Sequence, residues 1–168
     1  LAAAVLGMRT GCRLEQSLVR RQRIASQASA FTYDLAKGSD LLVVDATAHP
    51  GVTAEQLEAA VMAELDAMHL HGVTEDEVTR ARALIETSFV MSMQSAAERA
   101  DQLSRFATYF GDPTLVNTQV ARYEATTAAD VSRLARERLG PDNRVVLVFV
   151  PAEEPPAEAE AELVEATA

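Results

Sequence analysis

Four hydroxyl side chains, each followed three residues later by an acceptor, do most to limit what this chain can fold into. Thr53 precedes Gln56, Thr74 precedes Glu77, Ser95 precedes Glu98 and Thr127 precedes Asp130. Such pairs satisfy a first helical turn from both ends: the hydroxyl accepts from the third backbone N–H, and the acceptor side chain reaches back to the cap's own N–H. Four helix starts follow. The first helix, about 54–70, places Leu57, Val61, Leu65 and Met68 on one stripe, which predicts packing on a sheet. The second, about 75–93, puts Val78, Ala81, Ile85 and Phe89 on one face and leaves Arg80, Arg82 and Glu86 for solvent. The third, about 96–110, is expected to bury Leu103, Phe106, Ala107 and Phe110 and to stop at Gly111. Asp112-Pro113 announces a short helix to about Tyr123, and the last, about 128–139, uses Val131, Leu134, Ala135 and Leu139 before Gly140-Pro141 closes it.

With so much helix after residue 53, strands must come from elsewhere. A helix ending in Arg20, Arg21 and Arg23 turns into a first strand, Ile24 to Tyr33. A turn over Asp34 to Asp40, with Gly38 supplying freedom of φ, leads to a second strand, Leu41 to Ala48. Arg144 to Val150, RVVLVFV, is apolar on both faces and reads as a third strand, covered by helices or central in a sheet. The opening LAAAVLG reads as the end of a helix that starts upstream. The expected architecture is α+β, an antiparallel or mixed sheet covered by five or six helices. Three strands are few for so many helices, so the first strand or strands of the domain are expected before Leu1. One domain over residues 1–150 is followed by an acidic Pro-, Ala- and Glu-rich tail at 151–168 with almost nothing to bury, which should be disordered.

At 168 residues and 48% apolar, the chain can fill a core. No run approaches the roughly 18 to 20 apolar residues of a membrane span. Net charge is −10, and the tail carries six glutamates and no basic residue, leaving −4 on the body. Nucleic acid is therefore not an expected partner. The single cysteine, Cys12, excludes an internal disulfide and a Cys-rich zinc site. It fits a reducing compartment, so the cytoplasm is the expected location, although one cysteine is also compatible with export.

The stretch from Gly7 to Ala48 resembles the C-terminal module of insulinase-type zinc metallopeptidases, the pitrilysin group. The matching residues are Gly7, Arg13-Leu14, Leu18-Val19-Arg20 and Ile24 to Phe31. Later stretches resemble bacterial members: Ala48-His49-Pro50-Gly51-Val52, Arg99-Ala100-Asp101-Gln102-Leu103, Phe110-Gly111-Asp112-Pro113 and Pro141-Asp142-Asn143-Arg144-Val145-Val146. The resemblance covers about residues 1–150 and rests on the order of many modest matches. It implies a soluble bacterial hydrolase in which this module is inactive and faces substrate. Zinc and the general base would sit on an N-terminal module or a partner subunit, across a closed chamber, in an assembly that is a dimer.

Within that family the C-terminal module contributes an Arg and, seven residues later, a Tyr that hold the peptide substrate and the tetrahedral intermediate. The resemblance places Arg20 at the first position and Gln27 at the second. A Gln amide can donate to an oxyanion as a Tyr hydroxyl does, with shorter reach and different geometry. Both residues are carried as substrate-binding candidates; the competing reading is that Arg20, Arg21 and Arg23 only complement a helix C-terminus. No catalytic residue is expected here, because no His-x-x-Glu-His can be written from His49, His69 and His71. Zinc is expected in the parent enzyme and not on this chain, since His69 and His71 just before Gly72 read as polar residues closing a helix. The alternative function is a non-catalytic partner or scaffold subunit of the same family, motivated by Gln27 and the missing metal motif. Ala28 and Ala30 read as packing, Asp45 as a rim or satisfied carboxylate, and Met91-Ser92-Met93 as core.

Overall fold

A computed structural model describes residues 1–8, 11–33 and 40–150. There α1 (Ala2–Gly7) closes on a glycine for a steric reason. A Cβ at Gly7 would stand 2.5 Å from the Ala30 nitrogen, so only glycine lets the helix lie directly on β1 (Ala25–Thr32). Between them, Glu15–Arg21 winds as a π-helix. Its wide spacing shows at the end, where the Gln22 N–H donates to the Ser17 carbonyl at 2.9 Å and the Ile24 N–H to the Leu18 carbonyl at 3.0 Å. Arg23 sits in the turn at φ 55°, the only positive-φ residue other than glycine among the described residues. It fills the place after a helix that glycine usually takes.

β1 pairs antiparallel with β2 (Leu42–Ala48), with a bulge between Ala25 and Gln27. Past the bulge the alternation is clean. Ala28 and Ala30 lie opposite Ala46 and Val44 and pack on the core, while Gln27, Ser29 and Phe31 lie opposite Thr47, Asp45 and Val43 on the outer face. Asp45 is accordingly an exposed residue of that face, not a buried one.

The helices are α2 (Ala54–His71), α3 (Glu75–Ser92), α4 (Ala96–Phe110), α5 (Gln119–Ala125) and α6 (Ala128–Arg138). All four hydroxyl caps form. Thr53, Thr74 and Thr127 make complete reciprocal boxes with Gln56, Glu77 and Asp130, and Ser95 accepts from the Glu98 N–H. The short helix after Asp112-Pro113 is a 3-10 turn, Pro113–Thr118, that runs into α5. The main core takes Leu6, Leu14, Leu18, Met68, Val78 and Ala135 from α1, the segment around the π-helix, α2, α3 and α6. On α2 the predicted stripe holds: Leu65 and Met68 are buried, and Leu57 and Val61 pack against the cluster.

Three expectations are corrected. On α4 only Phe106 is buried; Leu103, Ala107 and Phe110 are exposed, because the helix packs chiefly on the 3-10 turn at 113–118. Met91 is exposed rather than in the core. Residues 145–150 make no strand: β1 and β2 are the only strands among the described residues, and Val145, Leu147 and Phe149 face solvent. A strand needs a backbone partner on at least one edge, and the described residues give this one none. The segment is tied down at its start, where Arg144 donates to Asp66 at 2.6 Å and to the Leu139 carbonyl. The turn expected over 34–40 lies, Asp40 apart, outside the described residues, as does the tail at 151–168. Among the described residues no helix is long and apolar enough to cross a membrane.

Candidate functional site

The arginine corner is built by the end of the π-helix and the turn into β1. Arg20 points back along its own helix, its Nε donating to Glu15 Oε1 at 2.6 Å, while Glu15 Oε2 accepts from the Gly11 N–H at 2.9 Å. Those two donors, Arg20 first, hold the Glu15 carboxyl below its usual range. Arg21 reaches Glu64 only at 3.8 Å, and Arg23 has no partner among the described residues. Gln27 is exposed on the outer sheet face opposite Thr47, and its amide makes no hydrogen bond among the described residues. No hydrogen bond joins Arg20 to Gln27.

A second feature escaped the sequence reading. Arg13 grips Glu77 with two hydrogen bonds, Nε to Oε1 at 2.6 Å and Nη2 to Oε2 at 2.8 Å, and Nη2 also donates to the Gly72 carbonyl at 2.8 Å. Gly72 caps α2 at φ 73°, so one guanidinium ties the start of the π-helix segment to the α2–α3 junction. Burial would push the Glu77 carboxyl up; donation from Arg13 and from the Thr74 N–H, with the pull of the Arg13 charge, outweighs it and holds the group at about 2. Arg13 is correspondingly raised, first of all by its bond to Glu77. Glu77 was legible as a helix-cap partner. That it also binds Arg13, 64 residues away, was not.

Beside this pair lies a cleft of about 470 Å³ between α1, the π-helix segment, α2 and α3. Val5, Ala67, Ala81 and Leu84 line it with apolar surface. Arg21, Glu64 and Arg80 line it with charge, His71 adds a polar ring, and the Cys12 thiol, buried in its wall, donates to the Ala4 carbonyl at 3.0 Å. Arg21 thus borders both the corner and the cleft.

His69 Nδ1 faces the Ala135 carbonyl at 3.2 Å, which requires that nitrogen to carry the proton, and His71 is exposed. No group of three or more His, Cys, Asp or Glu side chains among the described residues could hold a metal ion.

The model of the peptidase M16 inactive domain matches residues 1–85, half of the chain. This chain belongs to that family. The M16 domain is 30% identical over 77 residues to an uncharacterized zinc protease of Streptomyces coelicolor, a match that covers 46% of this chain and 17% of that protein. It therefore spans about one sixth of that curated relative. Among solved structures, the inactive peptidase domain of a proposed zinc protease from Bordetella parapertussis superposes with a TM-score of 0.80 at 26% identity, covering 92% of this chain and 81% of that one. A proposed zinc protease from Bordetella pertussis Tohama I gives 0.76 at 25% identity, covering 90% and 82%. The insulinase-type resemblance and the α+β class both stand on these matches.

Proposed function

We propose that this M16 domain is the non-catalytic, substrate-facing module of a zinc endopeptidase, forming part of the chamber wall while zinc and the general base sit on a separate module of the same chain or of a partner. Arg20 and Gln27 are the residues we assign to the peptide. The reading is supported above all by the outer face of β1 and β2, where Gln27, Thr47 and Asp45 are exposed and Ser29 is half-buried. An extended peptide can hydrogen-bond to such a face, and a guanidinium can anchor its carbonyl or carboxylate.

The test is peptide hydrolysis by the complete parent polypeptide. Arg20→Ala and Gln27→Ala should each lower kcat/KM about tenfold, as for loss of one hydrogen bond to a charged or developing charge. Gln27→Tyr should raise kcat more than it lowers KM, because a phenol reaches farther toward an oxyanion. Unchanged kcat/KM in both alanine variants would sink the assignment. The second reading, a non-catalytic scaffold subunit, is favoured by one observation: Arg20 is already occupied by Glu15. It predicts no zinc in the purified parent and turnover only by a separate subunit.

A further inference from the structure

We propose that the cleft between α1, the π-helix segment, α2 and α3 binds a carboxylate attached to a small aliphatic body, such as a peptide end, with Arg80 pairing the carboxylate. The site is separate from Arg20 and Gln27, and its test reads binding to this chain, so it stands or falls independently of the peptidase reading.

The case begins with charge. Four side chains that can carry positive charge line the cleft, Arg13, Arg21, His71 and Arg80, against two carboxylates, Glu64 and Glu77. Arg13 and Glu77 satisfy each other at hydrogen-bond distance. Arg21 and Glu64 stand 3.8 Å apart, an ion pair without a hydrogen bond. Arg80 and His71 have no partner among the described residues. The uncompensated charge of the cleft is therefore positive, in a chain whose net charge is −10.

An unpaired surface arginine is ordinary. Here it borders a concavity whose volume falls within the roughly 300–1,000 Å³ usual for small-ligand sites, beside Val5, Ala81 and Leu84. Partial desolvation against that apolar lining strengthens an Arg–carboxylate pair relative to one in open water. The apolar side chains are small to medium, which suits an aliphatic group next to the carboxylate. A phosphate would bring a second charge toward Glu64 and Glu77, so a monoanion matches better. The walls are also fixed in advance, because Arg13 locks the α2–α3 junction to the segment that bears Cys12 and Gln16.

The experiment is a nitrogen-15 NMR titration of the 168-residue chain with three blocked dipeptides: N-acetyl-Ala-Leu as the free acid, its C-terminal amide, and N-acetyl-Asp-Leu amide. The free acid should shift the amides of Val5, Ala81 and Leu84 saturably at millimolar concentration. The amide should bind about tenfold more weakly, the loss typical of a charge-assisted hydrogen bond. Arg80→Gln should weaken the free acid by a similar factor without changing the amide, and Arg80→Lys should retain most of the affinity. If N-acetyl-Asp-Leu amide matches the free acid, the carboxylate comes from a side chain; if it does not, it comes from the chain end. Equal binding of acid and amide, indifference to Arg80→Gln, shifts confined to other surfaces, or no saturable shift would each overturn the proposal.

Discussion

Two regions of this domain both start helices with side-chain caps, yet they are packed very differently. Thr74 and Thr127 start α3 and α6 with complete capping boxes, while the Ser95 hydroxyl and the Asp112 carboxylate each accept from a first-turn N–H of α4 and the 3-10 turn. Yet α1, the π-helix segment, β1, α2, the start of α3 and α6 bury Leu6, Leu14, Leu18, Met68 and Val78 almost completely. The arm made of α4, the 3-10 turn and α5 buries only Phe106 and Val116 and leaves Leu103, Tyr109 and Phe110 near half exposure. A cap decides where a helix begins, because it satisfies orphan N–H groups of the first turn; it says nothing about what the helix lies on. Cohesion comes from the apolar area removed from water, and that is concentrated in the first region.

The largest test of the contrast is truncation at matched leucines. Leu18→Ala removes a side chain with no exposure and should cost about 2–5 kcal/mol in a urea melt, as buried leucines do. Leu103→Ala, at a position 43% exposed, should cost less than about 1 kcal/mol. Equal losses would mean that the arm is held by something other than its visible packing.

The next test uses pH. Glu77 belongs to the packed region, its side chain 16% exposed, and its carboxyl sits at about 2 against an ordinary 4.5. A depressed pKa contributes stability that is fully present above the unfolded value and lost as pH falls. The window here runs from about 4.5 down to about 2, and the contribution is at most about 3 kcal/mol. Glu77→Gln should therefore lower stability at neutral pH and flatten the acid limb over that window. Asp112 of the arm is also held below its ordinary value, first by the Thr114 hydroxyl and then by the Thr114 N–H, both from a residue two positions along its own turn. Asp112→Asn should leave the acid limb in place. An acid limb unchanged by Glu77→Gln would show that Arg13 does not hold Glu77 in solution.

Helix starts and the small and polar faces of β1 were legible because both depend on local spacing: three residues for a capping box, two for a strand. What lay outside local spacing was not legible. Leu103, Ala107 and Phe110 repeat at helical intervals that look like a buried stripe, but all three are exposed among the described residues. Val145 to Val150 has the composition of an inner strand without a neighbour among the described residues. In the candidate site, Gln27 lies on the exposed face of β1, whereas the engagement of Arg20 by Glu15 depends on a π-helical turn that has no sequence signature. Arg13 was visible only as part of a motif; its partner across 64 residues is a consequence of the fold.

The smallest expected effect concerns a strained point of the packed region. Arg23 adopts φ 55° where the wide last turn of the π-helix closes through the Ile24 N–H and the Leu18 carbonyl. A side chain there crowds the following carbonyl, at a cost on the order of 1–2 kcal/mol, and glycine escapes it while losing up to about 1 kcal/mol through its freer unfolded chain. Arg23→Gly should therefore stabilise the domain by about 0.5 kcal/mol, read as a higher urea midpoint at constant slope. Arg23→Ala keeps the Cβ and should gain nothing. If both substitutions raised the midpoint equally, the gain would come from removing one of three clustered cations and not from the backbone. The corner would then be limited by repulsion among Arg20, Arg21 and Arg23, and raising ionic strength should reproduce the same gain in the unaltered chain.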